Sequence, residues 1–356
     1  MTQSRLRFAG SRRRGWATKI TVVAVALIGL AACSSAATTS APSSAAASTS
    51  PATMTTIRMV QEWPVPDGFW IPWVVAQDKG YYKAVGINLV IIPPPNTSAT
   101  AQYLGTGRAD LAFDTSVDIV FGRAQSAPMV SIGNYGSVNN WGLISSKANP
   151  LNFANIKGKT IGTYNDSWSK AQLQIMLHSE GLTLSDVKLV IASSDTVPLL
   201  MQKKVDAITG VTNAEGSELA SLGQADYQIT LAKDHGVPNS PIWVLAANTT
   251  WLANNKAVAQ KFMDATLKGW QDAVTNPVDA VATFMRVYPK AQPLDYTTIQ
   301  WKDTIGIFGG PTITPKTLFQ NDSDWAALLK AAMDFKLVTK VDATSLYYTN
   351  QLLGGS

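Results

Sequence analysis

The chain predicts an α/β fold of two lobes, and three observations carry that prediction. From residue 57 onward, apolar runs of strand length alternate with helix-period stretches in the order strand, helix, strand, helix, strand. That order requires a largely parallel sheet with helices on both faces. A phrase that closes one such unit, Leu104, GTGR, then Ala109, Asp110, Leu111, Ala112, returns as Leu200, MQKK, then Val205, Asp206, Ala207, Ile208. One copy in each of two similar lobes is the pattern an internal repeat would leave. Finally, 356 residues with 46% hydrophobic and 15% charged side chains are enough to fill two cores.

The first 32 residues stand apart from this plan. They hold Arg5, Arg7, Arg12, Arg13, Arg14 and Lys19 with no acid, followed by an apolar run over 20–30 in which only Thr21 is polar. This is the layout of an export leader, with a run too short to span a bilayer comfortably. Without it the basic count falls from 29 to 23 against 24 acids, so the formal +5 belongs to the leader and the remainder stands at −1. Nucleic-acid binding is therefore not expected. Leu30, Ala31, Ala32 and Cys33 resemble a bacterial lipobox, in which the Cys33 thiol is lipidated and the leader is cut before it; an ordinary secretory cleavage site is the alternative. Cys33 is the sole cysteine, so neither a disulfide framework nor a thiolate metal cluster is expected. Residues 33–56 continue as a Ser, Thr, Ala and Pro tether that cannot bury enough apolar surface to fold. Lipid and tether would hold the folded part at the outer face of the cytoplasmic membrane.

The folded part opens with a strand over 57–62. Residues 63–82, WPVPDGFWIPWVVAQDKGYY, follow as an aromatic loop and a helix over 72–79: Pro64, Pro66, Asp67 and Gly68 force the loop, Pro72 suits a first helical turn, and Gly80 a helix stop. A loop at a strand's carboxyl end, ahead of a helix N-terminus, can line a crevice with ring faces and free N–H groups. Alternatively, Trp70 and Trp73 only pack the helix on its sheet. A buried strand over 87–92 stops at Pro93, Pro94 and Pro95; a helix over 97–104 and a strand over 109–113 come next. In the centre, a strand begins at Thr160, Asp166 or Ser167 caps a helix over 168–180, and a strand covers 187–191. Residues 241–247, containing Trp243, are extended. Helices over 258–274, 277–288 and 324–335 follow, and this block would have to pack back onto the first lobe.

Five phrases, AQDKGYYKAVGINLVIIPPP, LGTGRADLAFD, NIKGKTIGTYND, SSDTVPLLMQKKVDAITG and VTNAEGSEL, together resemble the substrate-binding proteins of ABC importers. The group in question includes carriers of thiamine-pyrimidine precursors, riboflavin, nitrate, taurine and aliphatic sulfonates. The resemblance implies a type II periplasmic-binding fold: two α/β lobes, a ligand cleft between them, and two crossover strands near 137–146 and 240–247. Lobe 1 would then be 57–140 with 246–356, and lobe 2 would be 141–245. It also implies a monomer that closes on a small-molecule solute and delivers it to an ABC permease and its ATPase, with no cofactor. Catalytic residues are not expected. His178 and His235 lack metal-ligand spacing, and no Walker motif, nucleophile elbow or dinucleotide fingerprint is present. Related fungal pyrimidine-synthesis enzymes share the fold but rely on a histidine and a cysteine cluster, and with Cys33 assigned to the lipid this chain has no cysteine left to supply one. The expectation is thus a protein that is not an enzyme, with a secreted enzyme or a receptor-coupled sensor on the same fold as the alternatives.

The site is read from strand ends and crossovers: Trp63, Asp67 and Trp70; Asp114, Ser116 and Asp118; Tyr135 and Trp141; Tyr164, Asp166 and Trp168; Asn213 and Glu215. This set is rich in rings and carboxylates. Its loop segments hold no arginine or lysine, whereas a nitrate or sulfonate needs cationic donors or an acid-free helix N-terminus. A planar, uncharged or cationic heterocycle fits better. The run Asn213, Ala214, Glu215, Gly216 resembles a segment of pyrimidine and flavin carriers whose acid faces the ligand. Capping roles remain the alternative for Glu215, Asp118 and Asp166. Trp70 stands where pyrimidine carriers often have a histidine, and Thr212 replaces a usual aromatic, so a flavin or another aromatic solute stays open. Nitrate, taurine or an aliphatic sulfonate is the alternative ligand.

Overall fold

Strand β1 (Thr55–Val60) pairs in parallel with both β2 (Ile87–Ile92) and β3 (Leu111–Thr115). The structure is a computed structural model and describes residues 54–192 and 195–355. The leader, Cys33 and the tether up to residue 53 lie outside the described residues; the strand starts at Thr55, inside the span read as tether. Between β1 and β2, Asp67 caps a short 3-10 turn, Gly68–Trp70, by accepting the Phe69 N–H. Helix α1 (Ile71–Asp78) follows with Pro72 in its first turn, and Gly80, at φ 72°, separates it from α2 (Tyr81–Ala84). Helix α3 (Thr100–Gly105) leads to β3, and α4 (Ser116–Ala124) leads to β4 (Met129–Tyr135).

Residues 136–140 then carry the chain to a second sheet. There β5 (Trp141–Ser146) is followed by β6 (Thr160–Tyr164), α5 (Ser167–Ser179), β7 (Lys188–Ala192) and α6 (Val197–Met201). Strand β8 (Ala207–Val211), α7 (Glu215–Ser221) and β9 (Tyr227–Leu231) complete it. Residues 232–242 return to the first sheet as β10 (Trp243–Asn248). The chain ends in helices α8 (Thr249–Asn254), α9 (Lys256–Thr275), α10 (Pro277–Val287), α11 (Leu294–Ile307) and α12 (Asp322–Asp334).

The two sheets share one plan, β2-β1-β3-β10-β4 and β7-β6-β8-β5-β9. In each, the fourth strand runs antiparallel to both neighbours and is the strand the chain enters on crossing over. The other four strands of each sheet point one way, as a largely parallel sheet requires, and this fourth strand is the exception. A strand arriving from the other lobe starts at the edge where the parallel strands finish, so it must run against them. The register shows it: Trp243 lies opposite Thr115, the last residue of β3, and Trp141 opposite Val211, the last of β8.

The repeated phrase has a structural basis. Asp110, just before β3, accepts the backbone N–H of Arg58 in β1 at 2.8 Å, and its own N–H donates to the Arg58 carbonyl at 2.8 Å. Asp206, just before β8, makes the same pair with Thr160 in β6, at 2.8 Å each way. Both aspartates also hold a cation, Arg58 and Lys159. Each thus locks the entry of a parallel strand, which explains a shared Asp at one spacing from a shared helix end.

In the first sheet's core, Trp73, Phe113, Tyr135, Trp270 and Phe308 pack ring on ring. Helix α9 lies against α1 closely enough that a Cβ on Gly269 would run into Ala76. Beyond the helices expected in the C-terminal block, α11 packs on α7 of the second sheet, where Asn213 and Ser217 reach Thr304 and Asp303 at 2.9 and 2.7 Å.

The Asp110 carboxylate is 7% exposed and that of Asp206 is 40% exposed. Asp110→Ala is therefore expected to cost about 1–3 kcal/mol, the penalty of stranding buried donors, and Asp206→Ala clearly less. Denaturant unfolding of the two variants checks the order.

Candidate functional site

The carboxyl edges of the two sheets face a cavity of about 390 Å³, within the size range of small-molecule sites. Glu62 and Trp63 reach it directly after β1, and Val65, Asp67 and Phe69 come from the loop. Tyr164 ends β6, Asp166 caps α5, and Trp168 and Ser169 lie in its first turn. Gly210 and Val211 end β8, with Ala214, Glu215 and Glu218 beyond them, and Asp195 stands close by. Trp141 and Trp243 open the two antiparallel strands, and Gln292, Pro293 and Tyr296 come from the start of α11.

Two aromatic pairs meet edge to face across the cleft. Trp63 and Tyr164 have centroids 5.1 Å apart at 79°, and Trp168 and Trp243 are 5.2 Å apart at 68°. In each pair one ring belongs to each sheet. Such geometry sets the positive ring edge against the negative face of its partner. Phe69 extends the second pair, 5.4 Å from Trp243.

Six carboxylates line the cavity, Glu62, Asp67, Asp166, Asp195, Glu215 and Glu218, and among the described residues no lysine, arginine or histidine does. Glu215 accepts the Tyr164 hydroxyl at 2.7 Å and the Val211 N–H at 2.8 Å. Asp67 takes the Phe69 N–H at 3.0 Å and the Gln300 amide at 3.1 Å. Asp166 caps α5 through the Ser169 N–H at 2.7 Å. Glu62, 6% exposed, has no hydrogen-bond partner among the described residues. The indole N–H groups of Trp168 and Trp243 and the Ser169 hydroxyl, all fully buried, also lack partners among the described residues.

Burying and crowding acids disfavours their charged forms. Burial, then the charges of Asp166, Asp118, Asp114 and Asp67, hold Glu62 well above the usual carboxylate range. Burial pushes Asp67 up to about 7 against the bonds from Gln300 and the Phe69 N–H, and Asp166 up to about 7 against its capping bond. Burial, with Asp195 beside it, raises Glu218 to about 8.

Of the residues read from the sequence, Trp63, Asp67, Trp141, Tyr164, Asp166, Trp168 and Glu215 meet at this cavity. Six others do not line it. The 3-10 turn carries the Trp70 ring into the core, edge-on to Tyr288 at 5.6 Å, and puts Phe69 at the cavity instead. Asp114 is buried in β3 and accepts the Thr115 N–H at 2.9 Å. Asp118 binds the Thr115 hydroxyl at 2.8 Å at the start of α4, and its other oxygen takes the Ser167 hydroxyl at 2.8 Å. Ser116 donates to the Pro241 carbonyl at 3.0 Å. Tyr135 supports the aromatic loop from behind through the Phe69 carbonyl, also at 3.0 Å. Asn213 is tied to Asn140 at 2.7 Å as well as to Thr304, fixing the turn into α7.

Glu62, Phe69, Trp243, Asp195, Glu218 and Tyr296 are cavity residues that the sequence reading passed over. Two carried a usable signal: Glu62 adjoins Trp63 at the strand end, and Trp243 stands in the second crossover as Trp141 does in the first. Tyr296 had none, because α11 shows little amphipathic patterning.

A family model described as NMT1/THI5 like matches residues 70–280. A protein of Haemophilus influenzae named for thiamine biosynthesis is 27% identical over 252 residues, covering 70% of this chain and 79% of that one. The 4-amino-5-hydroxymethyl-2-methylpyrimidine phosphate synthase of Aspergillus parasiticus is 25% identical over 229 residues, 61% of this chain and 67% of its own. Among solved structures, the periplasmic aliphatic sulphonate binding protein of Escherichia coli is similar with a TM-score of 0.62 at 18% identity, covering 83% of this chain and 92% of that one. The fold is thus the type II periplasmic-binding fold, two α/β lobes joined by two crossovers, and it fits a periplasmic solute-binding protein. The synthase overturns the expectation that this chain is not an enzyme. The motifs searched for are contiguous in sequence, whereas a site on this fold assembles from separate strand ends, so their absence does not exclude catalysis.

Asp67 and Asp166 have folded values near 7 against the ordinary 3.8. A raised carboxyl value gives stability that is complete below the unfolded value and lost as pH rises through the folded one. The Tm of the ligand-free protein is therefore expected to fall between about pH 5 and about pH 8. Asp166→Asn, which keeps a capping oxygen, should flatten part of that slope and leave the Tm at the upper pH no lower than wild type; thermal unfolding across the range measures both.

Proposed function

The chain belongs to the NMT1/THI5-like family, and from that premise we propose that it captures a small aromatic heterocycle between its lobes. It would deliver this solute to an ABC permease and its ATPase, from a position at the outer face of the cytoplasmic membrane held by a lipid on Cys33. The observation that carries the reading is a cavity walled by rings from both sheets and lined with carboxylates but no cationic side chain.

A planar solute between such rings gains about 0.5–1.5 kcal/mol per favourable ring pair beyond the area it buries. An exocyclic amine donating to an ionised acid makes a charge-assisted bond about twice as strong as a neutral one. Glu62 and the second oxygen of Asp166 are available for that contact, while Glu215 is held by Tyr164 and Val211. A nitrate or sulfonate would face the same carboxylates with no counter-charge, which argues against the anion alternative even though the fold is shared with a sulphonate carrier. Contacts between the lobes support capture by closure: the Ser98 hydroxyl reaches the Asn165 carbonyl at 2.9 Å, and Ser167 reaches Asp118.

The synthase relative favours a second reading, chemistry on a pyrimidine or its precursor in the same cavity. The two readings separate on the fate of the solute.

Thermal-shift titration of the protein against aminopyrimidines, flavins, nitrate and alkanesulfonates is expected to show stabilisation by heterocycles. Stabilisation by the anions alone overturns the proposal. Trp168→Ala should weaken binding of the best heterocycle by about tenfold, the cost of roughly one lost ring pair. Mass spectrometry of the solute after incubation then tells unchanged cargo from product.

A further inference from the structure

Resting on the solute-binding reading, we propose that the solute is a cation, a ring bearing a formal positive charge on nitrogen, with Glu62 as its counter-ion. Four observations lead there. Ten acids elsewhere in the described residues have a basic partner, as in Arg58–Asp110, Lys159–Asp206 and Arg286–Asp78. None of the ion pairs among those residues reaches a carboxylate of the cavity. The acids there are left without a positive partner.

The acids are also not equivalent. Both oxygens of Glu215 and both of Asp67 are taken by protein donors, and one oxygen of Asp166 caps a helix. Glu62 is more than nine-tenths buried, lines the cavity, and has no protein partner among the described residues. A side chain in that position is costly unless the ligand completes it.

The surroundings of Glu62 suit a cation further. Asp166, Asp118, Asp114 and Asp67 all act on it electrostatically, so one inserted positive charge relieves every one of these repulsions together. The walls are Trp63, Tyr164, Trp141, Trp168, Trp243 and Tyr296, and indole and phenol faces attract a cation through the ring quadrupole. A neutral ring would gain the stacking but leave the crowded acids as they are.

The test is calorimetric titration of the protein with matched neutral and cationic rings: nicotinamide against its N-methylpyridinium counterpart, and 4-amino-2-methylpyrimidine against its N-methyl cation. The cationic member of each pair is expected to bind at least about tenfold more tightly. Its binding near neutral pH should release protons, seen as a heat that depends on the buffer's ionisation enthalpy. Glu62→Gln strands no protein donor, so the variant should keep a Tm at or above wild type while losing the preference for the cation over its neutral counterpart. Equal affinities within each pair, unchanged by Glu62→Gln, overturn the charge inference and leave the binding reading standing. If only anions bind, or neither kind of ring does, both fall.

Discussion

The chain passes between two sheets twice, and each passage delivers a strand that must run against its neighbours. From that one constraint the site follows. The incoming strand begins where the parallel strands end, so its first residue stands at the cleft edge, and in both lobes that residue is a tryptophan, Trp141 and Trp243. The βα loops of both sheets open on the same edge, which brings Trp63 and Tyr164 together from strands some hundred residues apart in sequence. Backbone direction thus decides which side chains share the cavity before any side-chain packing is considered.

Packing then makes the walls rigid. The aromatic loop is held on three sides: Asp67 caps its own turn, Gln300 bridges Asp67 and the Gly68 N–H, and the Tyr135 hydroxyl donates to the Phe69 carbonyl. Because Gln300 and Tyr296 lie one turn apart on α11, the helix that clamps the loop also supplies a cavity ring. The same helix reaches across to α7. These bonds tie α11 both to the aromatic loop and to the second sheet's α7, so the helix links the two walls of the cavity.

The acids work against stability and toward binding. Six carboxylates in one cavity with no basic partner among the described residues repel one another, and their burial pushes their titrations upward. A core built for stability alone would place apolar groups there. Functional sites are where such departures concentrate, and every ion pair among the described residues takes an acid outside this cavity. The comparisons complement this: fold and family define the shape of the container, while its chemistry is read from these particular side chains.

Much of the fold was legible in the sequence because it rests on local signals. Strand-length apolar runs, Pro72 and Gly80 around a helix, the Asp166 cap, and the repeated Leu-to-Asp phrase each act within a few residues, and the phrase marks the same backbone lock in both sheets. The mixed sheets were not legible, since strand direction depends on where a chain re-enters and not on what the strand is made of. In the aromatic loop, composition announced rings and acids, but a three-residue 3-10 turn decided that Phe69 faces the cavity and Trp70 the core. Asp114, Ser116, Asp118 and Asn213 sit at strand ends as expected, yet bonds to their neighbours turn them to other work. Tyr296 was settled by tertiary structure alone, because the buried face of its helix carries Thr297, Gln300 and Thr304 and so shows little hydrophobic periodicity; Glu62 adjoins Trp63 in the sequence, but that its carboxylate is unpaired is recognised only once everything around it is in place.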